Sequence, residues 1–267
     1  MKKLTREEVK TVQMDILDAL VKFCDQNSLR ISVSSGTLIG AVRHKGYIPW
    51  DDDIDVYMPR GDYMKLEKIL PELLDGKYKL ASLYRLKNWH LTFAKLYDIR
   101  TETKLQNRSV IPYGVFVDIF PVDDVPENPV EFKSYMRKLG LMRFLLNNVR
   151  QTTAEMPFFR KILIRLHHAI ISLIPNRKLV LFREKYNQKY NNLGYKVCYA
   201  NSYGPLQHNP FPKEMFDDII LWNFEDRKVP GFRNADKFLR LQYGNYLQLP
   251  PESERKCHSE IAYWKDN

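Results

Sequence analysis

The sequence predicts an α+β fold: a β-sheet core flanked by helices, then a helical and basic middle segment, then an aromatic-rich C-terminal part. Two observations carry the core. The segments DIDVYMP (53–59) and YGVFVDIFPVD (113–123) alternate with a period of two, as half-buried strands do. Stretches of helical spacing precede and separate such segments, so helices cover the sheet. A third observation is length, since 267 residues suffice to bury a sizeable core. Boundaries are expected at 1–128 for the core, 129–195 for the basic helical segment and 196–267 for a C-terminal segment packing back on it.

Residues 5–24 read as a helix, because Thr5 and Glu8 fit a capping box and Val9, Val12, Ile16, Leu20 and Phe23 recur at helical spacing. LRISVSS (29–35) alternates like a strand and leads through Ser34, Ser35, Gly36 and Thr37 into a short helical stretch, LIGAVRH, which Gly46 and Pro49 end. In DIDVYMP the pleat sends Asp53, Asp55 and Tyr57 to one face and Ile54, Val56 and Met58 to the other. A helix is expected over 62–74, then an antiparallel pair, YKLASLY and LTFAKLYDI, joined around Lys87–Trp89. YGVFVDIFPVD follows, with Asp118 a lone carboxylate in an apolar strand. From Pro129 to about Tyr190 the pattern is helical, and from Arg160 to Lys189 eight Lys or Arg face a single Glu184. The tail from Cys198 is richer in aromatics, Pro and turns, and neither an internal repeat nor a low-complexity linker occurs.

The 42 Lys plus Arg against 32 Asp plus Glu give a net charge of +10, which favours an anionic partner such as nucleotide phosphates, a polyanionic glycan or an acidic bilayer. Cys24, Cys198 and Cys257 are odd in number and far apart, so no disulfide framework is written here. MKKLTREEVK lacks the apolar region of a secretory signal, and the longest apolar run, Ile162–Ile174, is interrupted by Arg165, His167 and His168 and is too short to span a bilayer. A cytoplasmic protein is expected, with 160–189 either an ordinary solvated basic layer or a surface resting on anionic lipid.

The stretch IPWDDDIDVYMPR (48–60) crowds four carboxylates into five positions between apolar neighbours. Repulsion and desolvation oppose this, so a metal ion or basic side chains should offset them. Phosphoryl transfer requires such parts: carboxylates that hold divalent cations, a clamp for phosphates, and a group that orients the attacking hydroxyl. Asp53 and Asp55 can hold one or two Mg²⁺ ions, with Mn²⁺ as a substitute, and Asp118 completes the set if its strand is a neighbour. The small-residue turn at Ser35, Gly36 and Thr37 exposes backbone N–H groups to a phosphate, and Arg43 and Lys95 suit the developing charge.

A small-residue turn, then D-x-D on the next strand, then a single Asp on a later strand is the order found in the nucleotidyltransferase fold, a mixed sheet flanked by helices. The blocks SGTLIGAVRHKGYIPWDDDIDV, AKLYD, YGVFVDIFPVD and LQYGNYLQLPPESERKCH resemble the LicD family, which includes bacterial phosphocholine transferases and the fukutin-related ribitol-phosphate transferases. The resemblance covers most of the chain, with little contribution from 130–195. It implies transfer of a phospho-alcohol from a CDP-activated donor to a sugar hydroxyl with release of CMP. For bacterial members the usual donor is CDP-choline, and the acceptor is a lipid-linked precursor of teichoic acid or lipopolysaccharide at the inner face of the membrane. It implies Asp53, Asp55 and Asp118 as metal ligands, Asp118 also as acceptor of the hydroxyl proton, and Gly36, Thr37, Arg43 and Lys95 as donor contacts.

Each assignment has a plainer competitor. Asp53 and Asp55 fit a solvated turn, Lys95 an edge-strand gatekeeper, and Arg43 a helix C-terminal cation. Asp51 shares the face of Asp53 on alternate pleats, and Asp52 reads as a turn group. Choline recognition wants aromatic faces, for which Trp50, Tyr57, Trp89, Tyr113 and Trp222 are available, although aromatic residues more often build cores. Arg255 and His258 either reach the site from the tail or pack it. Glycerol- or ribitol-phosphate is an equally writable cargo, and a non-catalytic module for RNA or acidic membranes would not need the carboxylates; no nucleic acid is expected.

Overall fold

Helix α1 (Arg6–Gln26) starts where its cap says: Thr5 Oγ1 accepts from Glu8 N–H at 3.2 Å and the Glu8 carboxylate accepts from Thr5 N–H at 2.7 Å. The computed structural model describes residues 1–104, 113–148, 175–201, 209–255 and 261–266. Within them lie strands β1 (Lys2–Lys3), β2 (Ser32–Val33), β3 (Asp55–Pro59), β4 (Tyr78–Ala81), β5 (Ala94–Asp98), β6 (Thr101–Lys104) and β7 (Phe116–Asp124). After them come β8 (Val197–Tyr199), β9 (Phe211–Pro212), β10 (Ile219–Phe224), β11 (Arg227–Phe232) and β12 (Ile261–Trp264). The remaining helices are α2 (Ser35–Ile39), continued by a π-helical turn at Gly40–His44, α3 (Arg60–Ile69), α4 (Pro129–Asn148), α5 (Asn176–Asn187) and α6 (Ala235–Tyr243).

The main sheet runs β2-β3-β7-β5-β4, with β8 and β9 added beyond the far end of β7. Only β3 and β7 are parallel; the other described pairs are antiparallel, so the sheet is mixed. Parallel pairing follows from connectivity, because α3, β4 and β5 intervene between β3 and β7 and the chain crosses over before returning. Ile54, Val56, Met58, Ala94, Leu96, Val117 and Ile119 are all fully enclosed, and Ile16, Leu17 and Leu20 of α1 cover this layer. A second sheet, β1-β12-β6, joins both chain ends to the core, and β10-β11 is a hairpin.

Three boundaries differ from the sequence reading. The strand read over 29–35 pairs only at Ser32–Val33. The helix read over 62–74 starts at Arg60 and stops at Ile69, because Leu70 precedes Pro71 and is driven to extended backbone, φ −63°, ψ 127°. Asp53 precedes β3 instead of lying in it, so the alternating-pleat argument does not reach Asp51, Asp52 and Asp53. Residues 149–174, including the apolar run at 162–174, lie outside the described residues. Among the described residues no helix is long and apolar enough to cross a membrane.

Behind α3 a buried polar network ties α5 to the sheet. Arg60 donates to both Asp123 oxygens at 2.7 and 2.8 Å and to Glu184 Oε1, which also accepts from Tyr84 Oη at 2.9 Å. Asn191 donates to Asp123 at 2.7 Å and Asn187 to Glu184 at 3.2 Å. These groups lie at the opposite end of β3 from Asp55.

Candidate active site

Parallel pairing of β3 and β7 sets Asp55 directly beside Asp118, and antiparallel pairing of β5 and β7 sets Lys95 on the other side of Asp118. Three candidates from three separated segments therefore meet on adjacent strands. Lys95 Nζ donates to Asp118 Oδ1 at 2.6 Å, both side chains being about nine-tenths buried or more. The ammonium also stands over the Phe116 ring, 3.3 Å from its centroid, with Phe93 and Tyr113 at 5.5 and 5.4 Å. Lys95 thus lies within the sheet, and the edge-strand gatekeeper reading does not apply.

Asp53 stands at the approach to this pair. Asp55 is enclosed, and its carboxyl is held well above the ordinary range, first by burial and then by the charges of Asp53, Asp118 and Asp51, with Lys95 opposing. Burial, and then the charge of Asp53 and a hydrogen bond with it, push Asp51 up to about 7. Four carboxylates thus influence one another beside the Lys95 ammonium.

The turn at Ser34–Thr37 is built against these acids. Ser34 N–H donates to Asp55 O, and Asp55 N–H donates to Thr37 Oγ1, each at 2.9 Å. Ser35 opens α2 at φ 48°, a conformation that non-glycine residues adopt at a cost. The buried Ser34 hydroxyl finds no hydrogen-bond partner among the described residues. A Cβ added to Gly36 would overlap the Asp51 carboxylate, so glycine is required for that close approach. Gly36→Ala is expected to displace Asp51 while sparing the fold, because a side-chain end can give way where backbone cannot. Turnover should fall roughly ten- to hundredfold with little change in Tm, read by initial rates beside a melting curve.

A cleft of about 530 Å³ opens over Asp52, Asp53, Asp118 and Lys95, and its opposite wall is Lys3 and Arg6 from the N-terminal segment and Ile261 and Ala262 from β12. That volume suits a small-molecule ligand. Arg43 is turned instead to the tail, where its Nη1 donates to Tyr246 O, and burial lowers its pKa. Trp50 meets Arg255, whose guanidinium lies 4.9 Å from the indole centroid, so these two tail and loop candidates are brought together. His258 lies outside the described residues. Among the aromatic candidates, Tyr57 is core, stacked near Phe211; Trp222 Nε1 donates to Phe232 O and Trp89 Nε1 to Phe93 O; Tyr113 faces Lys95.

Two groups escaped the sequence reading. Tyr243, at the end of α6, brings its phenol against Ser35, and burial, together with the charges of Asp55 and Asp51, moves it up to about 12. The only signal was its place in LQYGNY. Gln13 of α1 lines the cleft from a helix face that otherwise reads as core.

The family model described as LicD/FKTN/FKRP, nucleotidyltransferase domain, matches residues 28–158, which contain the turn and the carboxylates Asp51, Asp52, Asp53, Asp55 and Asp118. Over 262 residues, 97% of either chain, the protein is 33% identical to the lipopolysaccharide cholinephosphotransferase LicD of Haemophilus influenzae. It belongs to the LicD family. Shorter matches, 47% identical over 56 residues and 40% over 55, join this LicD-family chain to uncharacterized proteins RP689 of Rickettsia prowazekii and RT0683 of Rickettsia typhi, about a fifth of each chain. Enzymes of this family act as nucleotidyltransferase-fold transferases on sugar substrates, and their chemistry implies a divalent cation.

Among the described residues no three carboxylate, imidazole or thiolate groups stand in a ready-made metal cage. In kind, though, the donors fit a hard divalent cation: oxygen ligands only, buried, and held in mutual repulsion that a cation would relieve. The same repulsion has a sign in pH. A carboxyl raised in the folded state from 3.8 to about 7 binds a proton that the unfolded chain has lost, so the Asp51 contribution is full below pH 3.8 and is lost as pH rises through 7. Tm measured without divalent cation should therefore fall from pH 5 to pH 8 less steeply in Asp51→Asn than in the wild type.

Proposed function

We propose that the chain transfers phosphocholine from CDP-choline to a sugar hydroxyl of a cell-surface glycan precursor, of the lipopolysaccharide or teichoic acid type, and releases CMP. The observation that carries this reading is the full-length likeness to a lipopolysaccharide cholinephosphotransferase, combined with Asp118 and Lys95 at the cleft and Asp55 enclosed directly beside Asp118. In the reaction the acceptor oxygen bonds to the choline-bearing phosphorus as that phosphorus parts from the oxygen bridging to CMP, which leaves with the electron pair. Asp118 takes the hydroxyl proton, and Lys95 holds it in register for that role through the 2.6 Å contact. Ser35, Gly36 and Thr37 cradle the donor phosphates with backbone N–H groups. Trp50 and Arg255 would contact the donor as a pair, and Arg43 ties the segment after the turn to the tail at Tyr246. Asp53, Asp55 and Asp118 would hold Mg²⁺, or Mn²⁺ in its place, which supplies charge neutralisation at the diphosphate.

The acceptor would be lipid-linked and met at the inner face of the membrane. For the basic segment this is supported by Lys178 and Lys185 on α5 beside exposed Phe182, although Arg177 is spent on Leu83, Leu86 and Lys87 carbonyls. The test is a titration of the purified chain with CDP-choline, CDP-glycerol and CDP-ribitol, with and without Mg²⁺. Mg²⁺-dependent binding of CDP-choline at least tenfold tighter than the others is expected; equal or reversed affinities would replace phosphocholine with another alcohol phosphate.

A further inference from the structure

We infer that Gln13 and Arg6, two side chains of α1, are positioning residues that hold the acidic loop so that its carboxylates face a divalent cation. The inference rests on the metal-dependent reading above. Gln13 is 3% exposed on a helix face that otherwise buries Val12, Ile16, Leu17 and Leu20. A buried amide is costly unless bonded, and here both of its ends are engaged. Nε2 donates to Asp52 O at 2.8 Å, and Oε1 accepts from Tyr47 Oη at 3.1 Å. Tyr47 is in turn fixed by its own N–H, which donates to Glu225 Oε1 at 2.9 Å, and Glu225 N–H donates to Lys45 O at 2.7 Å. Two turns before Gln13 on the same face, Arg6 Nη2 donates to Asp51 O at 2.9 Å.

Two successive carbonyls of the loop are thus tied to one helix. The loop needs such ties, because ladder pairing begins only at Asp55 and the side chains of Asp51, Asp53 and Asp55 repel one another. Fixing the carbonyls fixes the direction in which each side chain leaves the backbone. Helix α1 can serve as the frame since its opposite commitments, the capping box and the apolar face against β5 and β7, do not involve the loop.

The test titrates Mn²⁺ alone into the purified full chain and follows free ion by electron paramagnetic resonance, with melting curves alongside. Gln13→Met and Arg6→Met are each expected to weaken Mn²⁺ binding roughly ten- to hundredfold. Arg6 gives the sharper result, because simple electrostatics predicts the opposite sign: removing a cation near four acids should tighten metal binding. Arg6 is exposed, so Arg6→Met keeps the fold and carries the test should Gln13→Met fail to fold. Turnover should show a raised half-saturating Mg²⁺ concentration and a kcat restored at saturating Mg²⁺. Unchanged or tighter Mn²⁺ binding in folded Arg6→Met overturns the inference. Wild-type protein that binds no Mn²⁺ overturns the metal-dependent reading itself, and the inference with it.

Discussion

Asp55→Asn is expected to lower turnover by about a thousandfold or more, worth several kcal/mol of transition-state stabilisation, while making the metal-free protein more stable by on the order of 1 kcal/mol. The two effects share one cause. Asp55 is enclosed and its carboxyl is held well above the ordinary range by burial and by Asp53, Asp118 and Asp51, so an isosteric neutral amide removes repulsion. The backbone bond from Asp55 N–H to Thr37 Oγ1 survives the change. Asp118→Asn should cost similar activity yet shift stability the other way, by about 1–3 kcal/mol, because it leaves the Lys95 ammonium buried against Phe93, Tyr113 and Phe116 after loss of the carboxylate it contacts. CMP release and urea unfolding on the two variants separate these claims. An Asp55→Asn enzyme within tenfold of wild type would end the assignment of Asp55 to the chemistry.

What could be read in advance follows from range. Capping, strand period and turn composition are local, so α1, β3, the β4–β5 pair and β7 were legible from residues such as Thr5, Glu8, Val56 and Val117. The meeting of Asp55 with Asp118 was an expectation conditional on strand adjacency, and parallel pairing of β3 with β7 meets the condition. Lys95 was read as a donor contact, but its ion pair with Asp118 depends on the register of a third strand, which no local pattern encodes. Gln13 was invisible for a different reason: one polar residue on an apolar helix face looks like a blemish until the Asp52 carbonyl it serves is known. Pleat alternation misled at Asp51–Asp53 because it assumed strand backbone where the chain is a loop.

The largest stability effect is expected far from the acids, at Arg60→Met. Burial alone would lower the Arg60 pKa, yet Asp123 and Glu184 more than reverse it, so the guanidinium and its partners form one buried charged unit. Removing the cation strands two carboxylates, Asp123 at 0% and Glu184 at 4% side-chain exposure, with the amides of Asn187, Gln188, Asn191 and Asn201 and the Tyr84 hydroxyl as the remaining donors among the described residues. The cost should be about 3–5 kcal/mol, against roughly 5–15 kcal/mol for a typical domain's whole stability. Glu184→Gln should cost only about 1 kcal/mol, since its carbonyl still accepts from Arg60 and Tyr84. Urea unfolding of both variants tests the order, and equal small losses would mean the network is already relaxed by water. Arg60 leaves β3 at the end opposite Asp55, so Arg60→Met should keep near-normal kcat at temperatures where it stays folded. Loss of kcat without loss of fold would instead mean that tension along β3 reaches the carboxylates.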